Sequence, residues 1–261
     1  MVTPTPNDKV RDHDRNVQAQ FGPRAEAYVA SAVHASGADL DRIAALASAA
    51  SPLSALDLGC GGGHVAYALA PHSGTVTAVD LSCEMLEAVR ATAAGRGYSN
   101  LRIEQASAEA LPFAAETFDF LASRFTAHHW HDVDAGLRQA RRVLKAGSPA
   151  VFVDVIAPGV PLLDTHLQSV ELLRDTSHVR NYSLAEWTEK LTRAGFRVEA
   201  CRHFRSRMEF ASWTARMATP EPLVTAIRAL QQAAPSPVKS HFCIEEDGSF
   251  MLDMVLIEAA A

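Results

Sequence analysis

The sequence predicts an α/β protein built on a parallel β-sheet with helices on both faces. Between residues 53 and 155, short β-rich runs alternate with helical segments of about 10 to 15 residues, the rhythm of a parallel sheet. The first β-rich run ends in a glycine cluster that leads directly into a helix. With 48% hydrophobic and 21% charged residues among 261, the chain can bury a full core. Any ligand should lie beyond the carboxyl ends of the strands.

The elements of this first part follow from local patterns. Residues 1–20 are polar and predict a flexible N-terminus, and residues 21–50 are Ala-rich and predict one or two helices broken near Gly37. Strands are predicted at 53–58, 75–79, 101–105, 118–122 and 150–155, and helices at 64–70, 83–94 and 134–145. Ser82 is positioned to cap the second of these helices.

The second part departs from that rhythm. A helix is predicted at 162–175, and the capping box Ser183 to Glu186 opens another that ends at Gly195. A strand follows at 196–205, then a helical insertion at about 208–240. The turn signal Asp247-Gly248 predicts a C-terminal antiparallel hairpin between 241–245 and 250–258. The chain thus divides into a polar segment, 1–20, and a single domain, 21–261.

Composition excludes several classes of function. A formal charge of −6 argues against a nucleic-acid surface, and no apolar run approaches the roughly 18 residues needed to span a bilayer. The first twenty residues do not resemble a secretory signal, so a cytoplasmic location is expected. Four scattered cysteines, at 60, 83, 201 and 243, indicate buried thiols instead of a disulfide or zinc framework.

The glycine loop, residues 56–64, is the most informative segment. Gly59, Cys60, Gly61 and Gly63 lie on a turn from strand to helix, where missing Cβ atoms let backbone approach a ligand. The dinucleotide pattern G-x-G-x-x-G fails because position 64 is His64, and a P-loop would need a lysine. Neither phosphate signature is therefore met.

Two carboxylates flank this loop. Asp57, at the end of the first strand, would repel a pyrophosphate but suits a ligand with an ammonium and a sulfonium group. Asp80 ends the second strand, where an acidic residue typically binds the hydroxyls of an adenosyl ribose, although an aspartate there can also be only a cap.

The motifs LDLGCGGG at 56–63, AVDLSxxML at 78–86, AEALPF at 108–113, FD at 118–119 and RVLK at 142–145 closely resemble class I S-adenosylmethionine-dependent methyltransferases. The most similar subgroup contains the ubiquinone and menaquinone biosynthesis C-methyltransferases. The resemblance implies a Rossmann-like, seven-stranded, mostly parallel sheet in the order 3-2-1-4-5-7-6 with the last strand antiparallel. It also implies an N-terminal helical lid over 21–50 and the cofactor S-adenosyl-L-methionine, which is converted to S-adenosyl-L-homocysteine.

The resemblance also implies roles for residues in the site. The glycine loop would pass under the methionine part of the cofactor, Asp80 would hold the ribose, and Leu81 and Met85 would contact the adenine. Ser107 replaces the carboxylate expected to bind the adenine amino group, with Ala108 and Glu109 beside it. Arg124 would contribute mainly its backbone. Tyr28 matches the aromatic of the lid, though both it and Met85 can equally be packing residues.

Catalytic candidates follow the fourth and fifth predicted strands. His128 or His129 can act as a general base because histidine titrates near neutrality, and Asp154 lies at the end of the fifth strand. His129 is slightly favoured because the family often has a histidine before an aromatic here; the alternative is that the imidazoles contact the cofactor or pack. Adjacent histidines cannot easily converge on one metal ion, so no metal is expected. Residues 174–180 are interpreted as a solvated loop in preference to a contact with an acidic substrate.

The leading hypothesis is methyl transfer to a small molecule, at an O- or C-nucleophile. Alternatives are an NAD(P)-dependent Rossmann oxidoreductase and an S-adenosylmethionine-binding protein without catalysis. No nucleic-acid partner and no stable membrane insertion are expected. Neither the acceptor nor the oligomeric state, monomer or homodimer, is encoded in a recognisable motif.

Overall fold

One mixed sheet of seven strands organises the molecule. The computed structural model describes residues 6–25 and 35–261. The sheet has the order β3-β2-β1-β4-β5-β7-β6, and only β7 runs antiparallel to its neighbours. The strands are β1 (Ser54–Leu58), β2 (Thr75–Asp80), β3 (Leu101–Gln105), β4 (Phe120–Arg124), β5 (Pro149–Val155), β6 (Arg197–Met208) and β7 (Phe250–Ala260). The predicted fold class and strand order are confirmed.

Helices cover both faces of this sheet. They are α1 (Pro6–Phe21), α2 (Ala38–Ala50), α3 (His64–Leu69), α4 (Cys83–Gly95), α5 (Val133–Val143), α6 (Pro161–Arg174), α7 (Leu184–Ala194), α8 (Phe210–Arg216), α9 (Glu221–Ala233) and α10 (Ser236–Phe242). Alternate residues of the parallel strands enter opposite cores, because both faces of the sheet are buried. Helices α2, α3 and α4 form one core with the sheet, and α5 and α7 form the other.

A third apolar cluster joins the helices of the second half to the ends of β6 and β7. Leu167 on α6, Trp213 on α8, Ile227 on α9 and Phe242 on α10 belong to it, together with Leu252 on β7. This cluster places α6 and α8 beyond the carboxyl end of β5. The predicted helical insertion thus contributes to the edge of the sheet where ligands bind in α/β folds.

Two helices begin at the capping residues that the sequence predicts. The Ser82 hydroxyl accepts a hydrogen bond from Met85 N at the start of α4. Ser183 and Glu186 form the predicted capping box of α7, and Gly195 ends that helix with φ 96°. These two predictions are confirmed.

The N-terminal prediction differs from the structure. Residues 6–21 form helix α1, whereas a flexible polar segment was expected over 1–20. Side-chain amides attach this polar helix to distant loops: Gln18 Nε2 donates to Leu81 O at 2.9 Å and Asn16 Nδ2 donates to Thr176 O at 2.9 Å. Both partners lie more than sixty positions away along the chain, so local composition could not reveal them.

The predicted C-terminal hairpin is wrong. β7 pairs with β6 and β5, and the chain just before the turn forms α10 and not a strand. The turn itself exists, since Gly248 N donates to Glu245 O at 3.0 Å, but it only leads into β7. The twelve-residue β6 offers β7 a long edge, which a five-residue strand could not match.

Two further observations concern composition. All four cysteines are free, but only Cys60 is buried, so the expectation of buried thiols is wrong for Cys83, Cys201 and Cys243. Within residues 6–25 and 35–261, no helix combines the length and apolarity needed to cross a bilayer.

Candidate functional site

A deep cleft opens at the carboxyl ends of β1, β2 and β4. Its empty space, including the mouth, is about 1060 Å³. Most of the residues predicted to bind a cofactor line it: Asp57, Gly59, Cys60, Gly61, Asp80, Leu81, Met85, Ser107, Ala108, Glu109 and Arg124, with His129 at one side. The spacing of motifs along the chain therefore identified a single place in the fold.

The glycine loop shapes the floor of this cleft. Gly59 N and Cys60 N both donate to Val79 O, at 2.9 and 2.8 Å, which fixes the loop against β2. Gly61 has φ 47°, and a Cβ atom built on it would meet nothing within 4 Å. A side chain at this position would project into open space, so the missing Cβ leaves room for a ligand against the backbone.

Gly63 has a different role from its neighbours. It does not line the cleft; with φ 78° it precedes α3, and a Cβ atom there would lie 2.9 Å from Tyr67 and Val89 side-chain atoms. The requirement for glycine at this position comes from packing. The prediction that Gly63 contacts a cofactor has no support in this geometry.

Asp80 links the glycine loop to the start of the segment after β2. Its Oδ2 accepts a hydrogen bond from Gly61 N at 2.8 Å, and its Oδ1 accepts one from Ser82 N at 2.9 Å. Burial raises the pKa of this carboxyl above its ordinary value, against the lowering effect of the hydrogen bonds that it accepts from backbone amides. Each oxygen retains a lone pair for a hydroxyl in the cleft.

Asp57 is a second carboxyl at the same site. It is 1% exposed, and its Oδ2 accepts a hydrogen bond from Ala66 N, in the first turn of α3, at 2.8 Å. Burial raises the pKa of Asp57 to about 7; the bond from Ala66 opposes this shift and the charge of Asp80 adds to it. Two neighbouring carboxyls in one cleft favour a positively charged ligand, although the charge of Arg124 also lowers the pKa of Asp57.

The side of the cleft beyond β3 contains the 106–109 turn. The Ser107 hydroxyl accepts a hydrogen bond from Glu109 N at 3.2 Å, and Glu109 Oε1 accepts one from Asp132 N at 2.9 Å. Met85 is 1% exposed at the base of the cleft. The Ser107 hydroxyl can still rotate and hydrogen-bond a ligand in the cleft. This is the role expected of it where the resembling family has a carboxylate.

The Arg124 side chain is paired with a carboxylate of α2. Its Nε donates to Asp39 Oδ2 at 2.5 Å, and both side chains are 5% exposed. The buried pair joins β4 to α2. This agrees with a backbone role for Arg124 at the cleft.

His128 and Asp154 form a close pair beside the cleft. His128 Nδ1 lies 2.6 Å from Asp154 Oδ1, and Asp154 also accepts a hydrogen bond from Val155 N at 2.8 Å. Burial lowers the pKa of His128, but the charge and hydrogen bond of Asp154, aided by Glu171 and Asp175, outweigh it and raise the pKa above the ordinary value. A histidine held this way by a carboxylate presents its Nε2 as a base.

His129 has different contacts from those of His128. Its Nδ1 lies 3.2 Å from Ser177 O, and its ring stands edge-on to Phe21 at 4.9 Å between centroids. Burial, followed by the adjacent His128, lowers the pKa of His129 to about 3, against the opposing charge of Asp175. His129 is therefore neutral and a weak base, whereas His128 has the basicity that proton abstraction needs.

Comparisons with known proteins bear on the family of this chain. A model of the methyltransferase domain matches residues 56–152. The chain is 33% identical over 246 residues to the uncharacterized methyltransferase YcgJ of Bacillus subtilis, covering 92% of this chain and 97% of that protein. The crystal structure of YcgJ superposes with a TM-score of 0.81 at 32% identity, covering 85% of this chain and 97% of that one.

The chain belongs to this methyltransferase family. It is also 44% identical over 197 residues to the uncharacterized protein YafE of Escherichia coli, which is 76% of this chain and 95% of that protein. A ubiquinone/menaquinone biosynthesis C-methyltransferase, UbiE of Geotalea daltonii, is 33% identical over 107 residues, 40% of this chain and 46% of that protein. The resemblance found in the motifs is thereby confirmed.

The methyltransferase has a second cavity next to the cleft. Its empty space, including its opening, is about 690 Å³, and it shares Phe21, Phe125 and His129 with the cleft. His128 lines this second cavity and not the cleft, and Asp154 lies behind His128 without lining either. His129 therefore lies at the boundary between the cleft and the second cavity, and His128 lies on the side of the second cavity.

The interpretation of residues 174–180 as a solvated loop is wrong. In the methyltransferase, Asp175, Ser177 and His178 are buried, and Val179 N donates to His128 O at 2.8 Å. The segment therefore supports the turn that presents both histidines. Its buried contacts are with residues far along the chain, which a local pattern of polar residues does not show.

Three side chains of α1 line the cleft of the methyltransferase and were not predicted: Asp14, Val17 and Phe21. Thr126 and Trp130 line it as well. Helix α1 lacks a recognisable motif, so only its place in the fold reveals this role. Tyr28, the predicted aromatic of the lid, lies outside the described residues.

Proposed function

We propose that the protein uses S-adenosyl-L-methionine to methylate a small-molecule acceptor at an O- or C-nucleophile. The observation that carries this proposal is the pair of carboxyls, Asp57 and Asp80, on either side of the open backbone at Gly61. A cleft of this charge repels a pyrophosphate and favours a ligand with an ammonium and a sulfonium.

The residues of the cleft fit this cofactor. Asp80 retains acceptor capacity for the two ribose hydroxyls, and Asp57 supplies a carboxyl beside the glycine loop that a nearby positive charge would ionise. Leu81 and Met85 offer apolar contact to the adenine, while Ser107 and Ala108 offer polar contact at its edge. The empty volume of about 1060 Å³ suits a ligand of nucleoside size.

The second cavity supports a site for the acceptor. When bound, the cofactor supplies an electrophilic methyl group on its sulfonium. The protein then has to align the nucleophile with that group, exclude water and remove a proton. Phe21, Phe125 and His129 line both spaces, so the two lie side by side, as a methyl donor and its acceptor must for in-line displacement.

We assign proton removal to His128, with Asp154 as its positioning residue. Asp154 accepts the Nδ1 proton of His128, which leaves the lone pair of Nε2 for the acceptor. His128 Nε2 would take the proton of the acceptor while the methyl carbon–sulfur bond of the donor breaks and leaves the thioether S-adenosyl-L-homocysteine, and the carboxylate of Asp154 would stabilise the resulting imidazolium. Among the described residues, no group of three or more His, Cys, Asp or Glu side chains is arranged to hold a metal ion.

Calorimetric titration with S-adenosyl-L-homocysteine and with NADH tests the proposal. We expect saturable binding of the first and none of the second. The reverse result would favour a nicotinamide-dependent oxidoreductase and overturn the proposal. Single-turnover assays with bound S-adenosyl-L-methionine and a broad metabolite panel then separate an enzyme from a binding protein without catalysis. A cytoplasmic location and the absence of a nucleic-acid partner stay predictions of the sequence.

A further inference from the structure

The second cavity has two chemically different walls. One is apolar, formed by Val155, Met208, Trp213, Leu252 and Met254, all buried. The other wall, called the polar wall here, carries polar side chains, chiefly from the end of α6 and the segment after it. An acceptor that fills this space needs an apolar body with polar groups on one side.

Two buried side chains on the polar wall have unused hydrogen-bonding capacity. Glu171 is 7% exposed, and among the described residues its carboxylate accepts no hydrogen bond; its ion-pair partner, Arg174, has a guanidinium nitrogen 3.7 Å away. Asn181 is 1% exposed, and its Nδ2 has no hydrogen-bond partner in the part of the chain described. Buried polar groups without partners are costly, so a ligand that displaces water from them must replace its hydrogen bonds.

Arg174 is already engaged by the protein. Its Nε donates to Trp213 O at 3.0 Å, and its guanidinium carbon lies 4.8 Å from the centre of the Trp213 ring. Glu171 and Asp175 both line the cavity, so an anionic acceptor would face two carboxylates. Arg216 lines the cavity too, and for this reason an anionic probe belongs in the test.

We propose that Glu171 selects the acceptor: an uncharged molecule with an apolar body that carries, besides the methylated group, a second hydrogen-bond donor bound by the Glu171 carboxylate. This inference rests on the proposed function, since it places the acceptor in the second cavity. The carboxylate accepts the donor hydrogen, and Asn181 Nδ2 donates to the oxygen or nitrogen that carries it. An ether or a carboxylate at that position supplies no hydrogen and leaves Glu171 unpaired.

Matched two-ring probes test this proposal on the full chain saturated with S-adenosyl-L-homocysteine. The probes are 1,5-, 2,6- and 2,7-dihydroxynaphthalene, their dimethyl ethers, and the hydroxynaphthoic acids of the same substitution patterns. Ligand-observed NMR titration gives each Kd. We expect at least one diol to bind tenfold or more tightly than both its ether and its acid.

Glu171→Gln keeps the side-chain shape and removes the charge. In this variant the Kd values of a diol and its ether should differ by less than threefold. Glu189→Gln, on the exposed side of α7, is the matched control and should leave the ratio unchanged. The wild-type comparison stands without the variant if Glu171→Gln fails to fold. Equal binding of diols and ethers, tighter binding of an acid, an unchanged ratio in Glu171→Gln, or no binding of any probe would overturn the inference.

Calorimetry with S-adenosyl-L-homocysteine on the same samples separates the two proposals. If the nucleoside binds and the probes show no preference, the inference about Glu171 fails alone. If the nucleoside does not bind, the proposed function itself fails.

Discussion

Asp80 combines two tasks, since its carboxylate oxygens bind the amides of Gly61 and Ser82 while lining the cleft. The sequence could predict its place, because an acidic residue at the end of the second strand has a fixed position relative to the first glycine loop. It could not predict the raised pKa of Asp57, which depends on burial beneath α3 and on the nearby Asp80.

We predict that Asp80→Asn weakens binding of S-adenosyl-L-homocysteine at least tenfold. The amide cannot accept hydrogen bonds at both of its heavy atoms, so a ribose hydroxyl or a backbone amide loses its acceptor, a loss of about 1.5 to 3 kcal/mol. Calorimetry measures the effect. Asp41→Asn, at an exposed carboxyl on α2, should bind as the wild type does. Equal affinity of Asp80→Asn and wild type would remove Asp80 from the site.

The choice between His128 and His129 as the base could not be made from the local sequence. His129 was slightly favoured because the resembling family often has a histidine before an aromatic residue here, and no neighbouring residue distinguished the two rings. His129 Nε2 lies 3.9 Å from the Asp175 carboxylate, whereas His128 Nδ1 lies 2.6 Å from the buried Asp154 carboxylate; we therefore favour His128, held by Asp154, as the base. That carboxylate lies on another strand, so only the fold brings the pair together.

We expect the imidazole of His128 to titrate above its ordinary value of about 6.5, because Asp154 stabilises the charged form. Asp154→Asn removes this charge and should move the midpoint to lower pH, since burial then acts with less opposition. NMR titration of the imidazole nitrogens, assigned with His128→Gln, measures both midpoints. An unchanged midpoint in Asp154→Asn would show that Asp154 does not control His128.

At the scale of elements, the sequence predicted best where capping residues mark the ends. The start of α4 and both ends of α7 agree with the prediction because Ser82, Ser183 and Gly195 act locally. Strand β3 also has the predicted bounds. Strand β4 begins two residues later than predicted; Phe118 forms only an isolated bridge with Leu144. The errors, α1 and the C-terminal hairpin, fall where partners distant in sequence decide the structure.

The glycine loop gives a prediction with a matched control. Gly61 and Gly97 both have positive φ, 47° and 76°, and open space where a Cβ would stand, but only Gly61 lines the cleft. Valine should destabilise both variants by a similar amount, on the order of 1 to 2 kcal/mol, because of the left-handed backbone.

We expect only Gly61→Val to lose binding of S-adenosyl-L-homocysteine, since its side chain would occupy the space of the ligand. Calorimetry measures binding, and urea unfolding measures stability. Retained binding in a folded Gly61→Val would mean that the loop is only a turn.

At the scale of the whole molecule, the site collects segments that the chain keeps far apart. Side chains from α1, the glycine loop, the ends of β2 and β4 and the 106–109 turn meet in one cleft. Motifs and a family resemblance predicted most of these segments together with the strand order. The second cavity was not predicted, because its apolar wall depends on how α8 and β7 pack, and no motif marks either element.

The buried histidines link global stability to pH. Burial, followed by the nearby His128 and the guanidinium groups of Arg174 and Arg180, lowers the pKa of His178 to about 2. Below the unfolded-state pKa of about 6.5, the unfolded chain binds a proton at His178 that the folded chain does not. Stability from this group is therefore present above pH 6.5 and is lost as the pH falls.

We predict that the difference in unfolding free energy between wild type and His178→Gln falls by roughly 2 kcal/mol from pH 7.5 to pH 5. Urea unfolding at both pH values measures it, and taking the difference cancels the other titrating groups. A difference independent of pH would mean that His178 is protonated in the folded protein.

In our proposal, the carboxyl-flanked cleft holds the methyl donor with its sulfur facing the second cavity. A crystal structure with S-adenosyl-L-homocysteine bound is the decisive measurement. We predict the ribose hydroxyls on Asp80, the amino group beside Asp57 and the thioether sulfur at the wall shared by Phe21 and His129. An empty cleft, or a sulfur facing away from the second cavity, would contradict it.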